Sequence, residues 1–278
     1  MNTKYRIFKD KFLKMLVTFL SLVAILPLIL ILFQVVKNGI SVVNFKFFTQ
    51  LPPPPGEGYG GIANSLLGTA LLIGLAVLLS VPIGVFAGVY LAENKSRFAE
   101  FLRIIVNVLQ GLPSIVIGII AYIWVVRPMG GFSALSGGVA LAIMMLPIIV
   151  KNTEETLKLI PFSLKEASYS LGVNYTRTIL KVVVPTGAGG IISGVIIGIS
   201  RIAGETAPLL FTAFGNPYIS VNPAKPIDAL PLLIFNYAMS PYENWHKVAW
   251  GASFVLIMFV FTLNLMVKVA GEKWKVKF

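Results

Sequence analysis

One stretch of the sequence decides the fold. Residues 166–210 read EASYSLGVNYTRTILKVVVPTGAGGIISGVIIGISRIAGETAPLL. A polar first part ends at Pro185, and an apolar helix with regularly spaced glycines follows. We expect Arg201 and Glu205 to lie in the middle of this helix and on one face of it, because residues four apart are neighbours on a helix surface. Ionised groups at bilayer depth are costly, so the pair needs either a protein partner or a function.

The glycines of this helix predict its packing face. The stripe consists of Gly190, Gly194 and Gly198, continued by Arg201 and Glu205. Small residues at this spacing let a second helix approach closely, so we expect the charged pair to face protein and not lipid. Pro208 should open or bend the helix just beyond the pair, because proline lacks a backbone N–H.

The composition excludes a soluble globular domain. Of the 278 residues, 56% are hydrophobic and 12% are charged, and the mean hydropathy is +0.85. Such values indicate an integral membrane protein. The formal net charge of +12 does not point to nucleic acid, since the Lys and Arg residues flank long apolar runs. The predicted class is therefore an all-α polytopic membrane protein.

Six apolar runs are long enough to cross a bilayer, for which about 20 residues are needed. The predicted spans cover residues 16–36, 62–91, 104–126, a run that ends near 150, 182–213 and 248–270. We divide the chain into an N-terminal anchor helix with an extracytoplasmic loop, residues 1–60, and a transmembrane domain, residues 61–272. Within the second region, residues 151–181 form a long polar segment between two spans.

The distribution of basic residues predicts the orientation. Six spans put both termini on one side, and 17 of the 23 Lys and Arg residues fall in the segments of that side. The opposite loops hold five, and Arg201 is alone inside a span. By the positive-inside rule, both termini and the segment 151–181 are cytoplasmic.

The polar segment carries two signals for a helix start. Asn152 with Glu155, and Ser163 with Glu166, have the spacing of a capping box. In the second helix, apolar residues recur at i, i+3 and i+7, and a glycine supplies a left-handed stop. A surface helix of this kind can fit a cleft of another protein. The predicted docking residues are Ser163, Leu164, Glu166, Ala167, Leu171 and Gly172.

The same segment resembles the EAA signature of binding-protein-dependent ABC permeases. That signature is EAA, three residues, glycine, nine residues and I-x-L-P, and it is matched here by EAS at 166–168, Gly172 and VVVP at 182–185. The resemblance implies the permease fold of type I ABC importers and a coupling helix that sits in a cleft of a cytoplasmic ATPase. The role of Glu166 stays open, since its spacing also accounts for a helix cap.

A second stretch narrows the resemblance. Residues 201–210, RIAGETAPLL, are similar to the RxxGETAPLL stretch of the PstA-type phosphate-uptake permeases, and residues 90–93 and 113–116 also fit that pattern. The resemblance implies a subunit of an ATP-driven importer of inorganic phosphate in a prokaryotic cytoplasmic membrane. Its implied partners are a paralogous PstC-like permease subunit, a dimer of PstB-like ATPases and an extracytoplasmic PstS-like phosphate-binding protein. It also implies that Arg201 lines the phosphate path, to which we add Glu205, Thr206 and Ser200.

From the residues alone, two interpretations of the charged pair stay open. A salt bridge between Arg201 and Glu205 would lock two helices together, whereas a guanidinium held by Glu205 offers a planar fork for an oxyanion. For the whole chain, the alternatives are a permease for another oxyanion or small solute, and an ion-driven secondary transporter.

The sequence also predicts what other subunits must supply. It has no GxxxxGK[ST] motif, so we expect the chain to be a transport subunit and ATP hydrolysis to belong to a partner. We expect this chain to bind no metal ion or other cofactor and no nucleic acid, and to have the lipid bilayer as its surroundings.

Overall fold

The computed structural model describes residues 3–58 and 60–273, and the regular secondary structure of this part is helical. Strand-like pairing in this part is limited to one isolated bridge between Phe214 and Ile227. Two π-helical turns, Tyr122–Val126 and Ile179–Val183, interrupt the α-helices. The α-helices are α1 (Thr3–Gly39), α2 (Phe45–Thr49), α3 (Ala63–Glu93), α4 (Arg97–Gly111), α5 (Ser114–Ala121), α6 (Arg127–Met129), α7 (Ala134–Lys158), α8 (Phe162–Ser170), α9 (Tyr175–Thr178), α10 (Val184–Ile202), α11 (Ala207–Leu210), α12 (Leu230–Ala238) and α13 (Glu243–Lys273).

The third predicted span is broken. In the described residues, five helical segments are long and apolar enough to cross a membrane, and a sixth crossing requires α4 and Ser114–Met129 to count as one span. These two pieces are bent by 105°, so the expected continuous span over 104–126 is wrong. The break lies at Leu112, which is extended (φ −70°, ψ 135°), because proline at the next position disfavours the helical region.

Helix α7 extends further into the polar segment than expected. It ends at Lys158, so the helix start predicted at Asn152 is wrong. The Asn152 amide donates instead to the carbonyl of Ile148 at 2.9 Å. Glu154 is nearly buried and pairs with Arg103 of α4 at 2.7 Å. The polar side chains of Asn152 and Glu154 are therefore accommodated inside α7, and the helix continues through them.

Helix α10 ends earlier than expected. The helical run Tyr175–Ile202 takes the place of the predicted span 182–213. Arg201 therefore lies in the last turn and Glu205 lies beyond the end, which corrects the prediction that both are in mid-helix. The chain turns at 203–206, and Pro208 then opens the short helix α11. A proline two residues into a new helix is tolerated, whereas within α10 it would remove a backbone hydrogen bond.

The core lies between α3 and α7, which share the largest helix–helix interface. Leu72, Met145 and Ile149 are almost fully buried in it. Helix α10 also packs on α7. In contrast, every side chain of α1 from Lys9 to Gln34 is exposed in the single chain, and the main contacts of α1 are with α13.

The segment expected to be a loop over 214–246 contains α12. Pro231 lies in the first turn of α12, where a missing N–H leaves no hydrogen bond unmade. Leu230 and Leu233 pack into a cluster with Phe47 of α2 and Val248 of α13. Helix α13 contains the predicted sixth span.

Candidate functional site

Arg201 lies at the wall of a small pocket next to the break between α4 and α5. Its side chain is 47% exposed, so it borders protein on one side and is open on the other. Apart from Arg201, Gln110 is the only polar residue of the lining, and it lies at the end of α4. The lining residues are Leu109, Gln110, Leu112, Ile117, Met144, Pro147, Ile148 and Arg201.

The ion pair between Arg201 and Glu205 is present but loose. The Nε atom of Arg201 lies 3.7 Å from Oε1 of Glu205, which is beyond hydrogen-bond distance. The guanidinium donates no hydrogen bond to any of the described residues. An ion pair this long and this exposed contributes little to stability. The geometry therefore favours a guanidinium that is oriented by a carboxylate and can still bind another anion.

The four residues of the expected path do not share one pocket. Arg201 and Glu205 are close together, but Thr206 lines a separate, mainly apolar pocket with Gly204, between α1, α12 and α13. The hydroxyl of Ser200 is buried and has no hydrogen-bond partner among the described residues. The participation of Ser200 and Thr206 in the path stays a prediction.

The glycine stripe packs against another helix, as predicted. A Cβ added to Gly194 would lie 2.5 Å from the Cβ of Asn152, and one added to Gly198 would lie 2.9 Å from the Cγ of Met145. Both neighbours belong to α7, and Gly190 faces the same helix at Thr156. The stripe therefore holds α10 against α7, with Arg201 at the edge of this interface.

Pro208 is also a helix-packing residue, as the sequence predicts together with the three glycines, and its partner is α5. It is buried, and a Cβ added to Gly118 of α5 would lie 2.8 Å from the Cα of Pro208. This close approach holds α11 against α5, beside the break that forms the pocket.

The segment expected to dock on another protein forms the helix α8. Pro161 occupies the N-cap position and no side chain caps the helix, so the capping box predicted at Ser163 is wrong. Gly172 has a φ of 75°, which confirms the left-handed stop. Because glycine lacks a Cβ, it adopts this conformation without steric strain.

The predicted apolar face of α8 is divided between two sides. Leu164 packs inward against a buried cluster that includes Leu157 and Ile179, whereas Leu171 is 83% exposed. Leu164 is therefore not part of an exposed docking surface, which corrects the prediction. The exposed residues of this segment include Phe162, Ser163, Glu166, Ala167 and Leu171.

Two polar contacts hold the inner side of α8. The hydroxyls of Ser168 and Thr178 are 2.9 Å apart and buried, which gives a physical reason for serine in place of the second alanine of the EAA signature. The Nζ atom of Lys165 lies 2.6 Å from Oε1 of Glu93, the last residue of α3. Helix α8 is thus joined both to the segment that follows it and to a membrane span.

Arg103 joins the neighbouring helix ends. Its Nη2 atom donates to the carbonyls of Leu91 and Asn94 at 2.6 and 3.1 Å, and its Nε atom donates to Glu154 at 2.7 Å. Glu154 also accepts from Lys158 at 2.5 Å. The ends of α3, α4 and α7 are therefore held together on the side where α8 lies.

A buried carboxyl group lies at the opposite end of α3. Oδ2 of Asp228 accepts hydrogen bonds from Ser65 at 2.6 Å and from Asn64 at 3.3 Å. Burial raises the pKa of Asp228 to about 6, against the lowering effect of these hydrogen bonds. The group lies in the loop before α12 and outside the membrane-spanning helices, and it ties that loop to the start of α3.

The family of the chain follows from a comparison with known proteins. The model of a family described as "Binding-protein-dependent transport system inner membrane component" matches residues 80–272. The chain belongs to this family. The relatives of this permease include bacterial and archaeal proteins. The phosphate transport system permease protein PstA of Yersinia pestis is 42% identical to it over 250 residues, which cover 89% of this chain and 85% of that protein.

An archaeal relative and a solved structure extend the comparison. The probable phosphate transport system permease protein PstA of Methanocaldococcus jannaschii is 35% identical to this permease over 95% of this chain and 94% of that protein. A chain in the crystal structure of a bacterial alginate ABC transporter, in complex with an alginate pentasaccharide-bound periplasmic protein, matches with a TM-score of 0.65 and 11% identity over 98% of both chains. This likeness confirms the fold of type I ABC importer permeases.

Two polar side chains give the pocket of this permease its chemical character. Arg201 supplies a permanent positive charge, and Gln110 supplies an amide that can donate hydrogen bonds. Among the described residues, no group of three or more His, Cys, Asp or Glu side chains could hold a metal ion. A charged fork next to one amide is suited to reversible binding of an oxyanion.

Sequence reasoning missed Gln110 and Asp228. Gln110 reaches the Arg201 pocket because the chain bends at Leu112, and Pro113 was the available signal for that bend. Asp228 lies in a stretch that was assigned to a loop, and an acidic residue directly before the apolar run 229–234 gave no clear sign of burial. Arg201, which shares the pocket with Gln110, and Asn64 and Ser65, which bind Asp228, are all distant in the sequence from the residue they meet.

Proposed function

We propose that the chain is the membrane-spanning subunit of an ATP-driven importer of inorganic phosphate. The observation that carries the proposal is the similarity to the PstA proteins over nearly the whole chain, including 42% identity to the Yersinia pestis relative. Those relatives are phosphate transport permeases by name, and the archaeal relative agrees with the bacterial one.

Arg201 is the proposed anion-binding residue of the path. The guanidinium is half exposed and its ion pair with Glu205 is long, so phosphate oxygens can displace the carboxylate at little cost. Gln110 lines the same pocket and can donate a second hydrogen bond. Thr206 and Ser200 join the path in this proposal when the end of α10 rearranges during transport.

A second permease subunit is needed to close this path. The Arg201 side chain is 47% exposed in the single chain, and α1 is exposed along most of its length. Exposed apolar helix faces in a membrane are suited to contact with lipid or with another spanning subunit. We infer a paralogous PstC-like partner that completes the wall opposite α10.

The energy for transport comes from a partner in this proposal. Helix α8 presents Phe162 and Leu171 as exposed apolar side chains, 64% and 83% exposed, and large exposed apolar groups mark contact surfaces. We propose that they dock on a PstB-like ATPase dimer, with Glu166 and Ala167 on the same exposed surface. ATP hydrolysis then belongs to the partner, and this chain binds no cofactor.

The orientation of the chain in the membrane follows from the proposed docking of α8 on the ATPase. If α8 meets a cytoplasmic ATPase, both termini are cytoplasmic, in agreement with the excess of Lys and Arg on that side. The region 1–60 then supplies an anchor helix and an extracytoplasmic loop, and 61–272 supplies the permease domain. The loops around Asp228 face outward, where a PstS-like binding protein would deliver phosphate.

Competitive uptake tests the function. The complete transporter, with both permease subunits and the ATPase in proteoliposomes, should accumulate labelled phosphate only with ATP and the binding protein present. Unlabelled phosphate should compete, and sulfate should not. Uptake driven by an ion gradient without ATP would contradict the proposal, and sulfate competition at equal concentration would assign another oxyanion as substrate.

A further inference from the structure

We propose that the ion pair between Lys165 and Glu93 transmits displacement of α8 to the membrane spans, so that these two side chains are positioning residues for coupling. The proposal rests on the proposed function, in which α8 docks on the ATPase. Nothing about the EAA resemblance assigns a role to either residue.

Helix α8 has two connections to the rest of the molecule. One follows the chain: Leu164 and Ser168 hold α8 against Ile179 and Thr178, which lead directly into α10. The other is the ion pair to α3, in which Nζ of Lys165 lies 2.6 Å from Oε1 of Glu93. The ion pair therefore connects α8 to a span that is far away in the sequence.

The ion pair resists separation. The side chains of Lys165 and Glu93 are 13% and 9% exposed, so water reaches them poorly. Pulling the two charges apart would leave each of them desolvated without a counterion, which is strongly unfavourable. A contact between apolar side chains could slide, because it has no preferred direction. The pair is thus suited to carry motion between α8 and α3.

Motion of the end of α3 reaches the anion pocket through α7. Arg103 holds the carbonyls of Leu91 and Asn94 and the carboxylate of Glu154. Helix α7, which carries Glu154, contributes Pro147 to the pocket of Arg201. A displacement of α8 would therefore move the ends of α3 and α7 together and change the pocket wall.

Charge removal and charge reversal test the link in the complete transporter. Glu93→Gln and Lys165→Met should lower the phosphate transported per ATP hydrolysed by about fivefold or more, the lower limit of typical coupling between sites. The double variant Glu93→Lys with Lys165→Glu should restore most of the ratio. Lys14→Met is the matched control, because it removes a similarly short ion pair that lies within α1, is exposed and is not part of this path; its ratio should equal that of the parent.

A covalent link gives a test that does not depend on the buried charges. The chain has no cysteine, so Glu93→Cys with Lys165→Cys introduces a single reactive pair. A short bifunctional thiol reagent that joins them should restore coupling, and the unjoined variant should stay uncoupled. If the joined form transports no better than the unjoined form, α8 does not act on α3 through this point.

The outcomes separate this inference from the proposed function. An unchanged ratio of phosphate to ATP in the single variants, with the ATPase still bound, overturns the link alone. Lower yield of the complex with an unchanged ratio assigns the pair to stability and also overturns the link. Failure of the unmodified chain to bind an ATPase would instead overturn the proposed function.

Discussion

At the residue scale, we expect phosphate uptake to depend on the charge of the residues that line the pocket of Arg201. Gln110 lines this pocket, so Gln110→Glu would place a second carboxylate beside the proposed anion path. Two unit charges about 4 Å apart interact by about 4 kcal/mol near a protein surface, so phosphate uptake by the transporter should fall at least about tenfold. Asn107→Asp adds the same charge to an exposed position of α4 outside the pocket and should leave uptake unchanged. Equal uptake by the two variants would remove Gln110 from the path.

Asp228 predicts a dependence of stability on pH. Its pKa is raised from 3.8 to about 6 in the folded chain, so the folded state binds the proton more tightly than the unfolded state. The resulting stabilisation is complete below about pH 4 and is lost as the pH rises through 6, by about 3 kcal/mol for a shift of about two pH units. Asp228→Asn keeps an acceptor for Ser65 and removes the charge.

Thermal unfolding of the purified protein at several pH values measures this effect. Asp228→Asn should melt at a higher temperature than the parent at pH 8 and at a similar temperature at pH 4. Asp10→Asn, on the exposed part of α1, should show the same pH dependence as the parent. A lower melting temperature of Asp228→Asn at pH 8 would mean that the carboxylate is stabilising.

At the scale of the helix, the close contact between α10 and α7 depends on glycine. An alanine at Gly194 would bring its Cβ within 2.5 Å of the Cβ of Asn152, and neither atom can move without its backbone. Such overpacking costs about 1–3 kcal/mol. Gly74→Ala is the control, since nothing lies within 4 Å of an added Cβ there and alanine favours the helix. Gly194→Ala should melt below the parent and Gly74→Ala should not; equal melting would contradict the tight interface.

The proposed docking surface at the end of α8 is tested by adding a charge to it. Leu171 is exposed, so Leu171→Asp should not disturb the fold but should place a charge in the proposed ATPase contact. We expect loss of ATPase from the purified complex while the partner permease is retained. Thr176→Asp adds the same charge to the neighbouring helix α9 and should leave ATPase binding intact. Undiminished ATPase recovery with Leu171→Asp would exclude docking at this end of α8.

The elements also show how far the sequence could lead. The spans α3 and α13 and the packing face of α10 follow from apolar runs and from the spacing of Gly190, Gly194 and Gly198, which are local signals. The sequence does not predict the bend before Pro113, because membrane helices tolerate proline where neighbours satisfy the backbone. At Pro208 it predicts an opening beyond the charged pair, whereas α10 already ends at Ile202, before Glu205. Whether a membrane helix continues through a proline therefore depends on tertiary contacts.

The candidate site was predictable only in part for the same reason. Arg201 stands out as a lone cation in an apolar run, so the sequence indicated it. Which residues share its pocket depends on the bend between α4 and α5, and Thr206 turns toward a different pocket. The two sides of α8 were likewise undetermined, since burial of Leu164 requires the cluster around Leu157 and Ile179.

At the scale of the whole molecule, different polar contacts hold the two ends of the spans. At one end of α3, Asp228 ties the loop before α12 to the first turn of this helix. At the other end, Arg103 and Glu93 join the ends of three helices to α8. Between them, α7 packs on α3 and α10 and borders the pocket of Arg201. A movement that begins at α8 therefore has a continuous packed path to the proposed anion site.

The most direct measurement of the central claim is phosphate uptake by the complete transporter carrying Arg201→Ala. We predict that the complex assembles and binds ATP normally while uptake of labelled phosphate is lost, and that Arg127→Ala, an exposed arginine outside the pocket, transports like the parent. Normal phosphate uptake by Arg201→Ala would contradict the account.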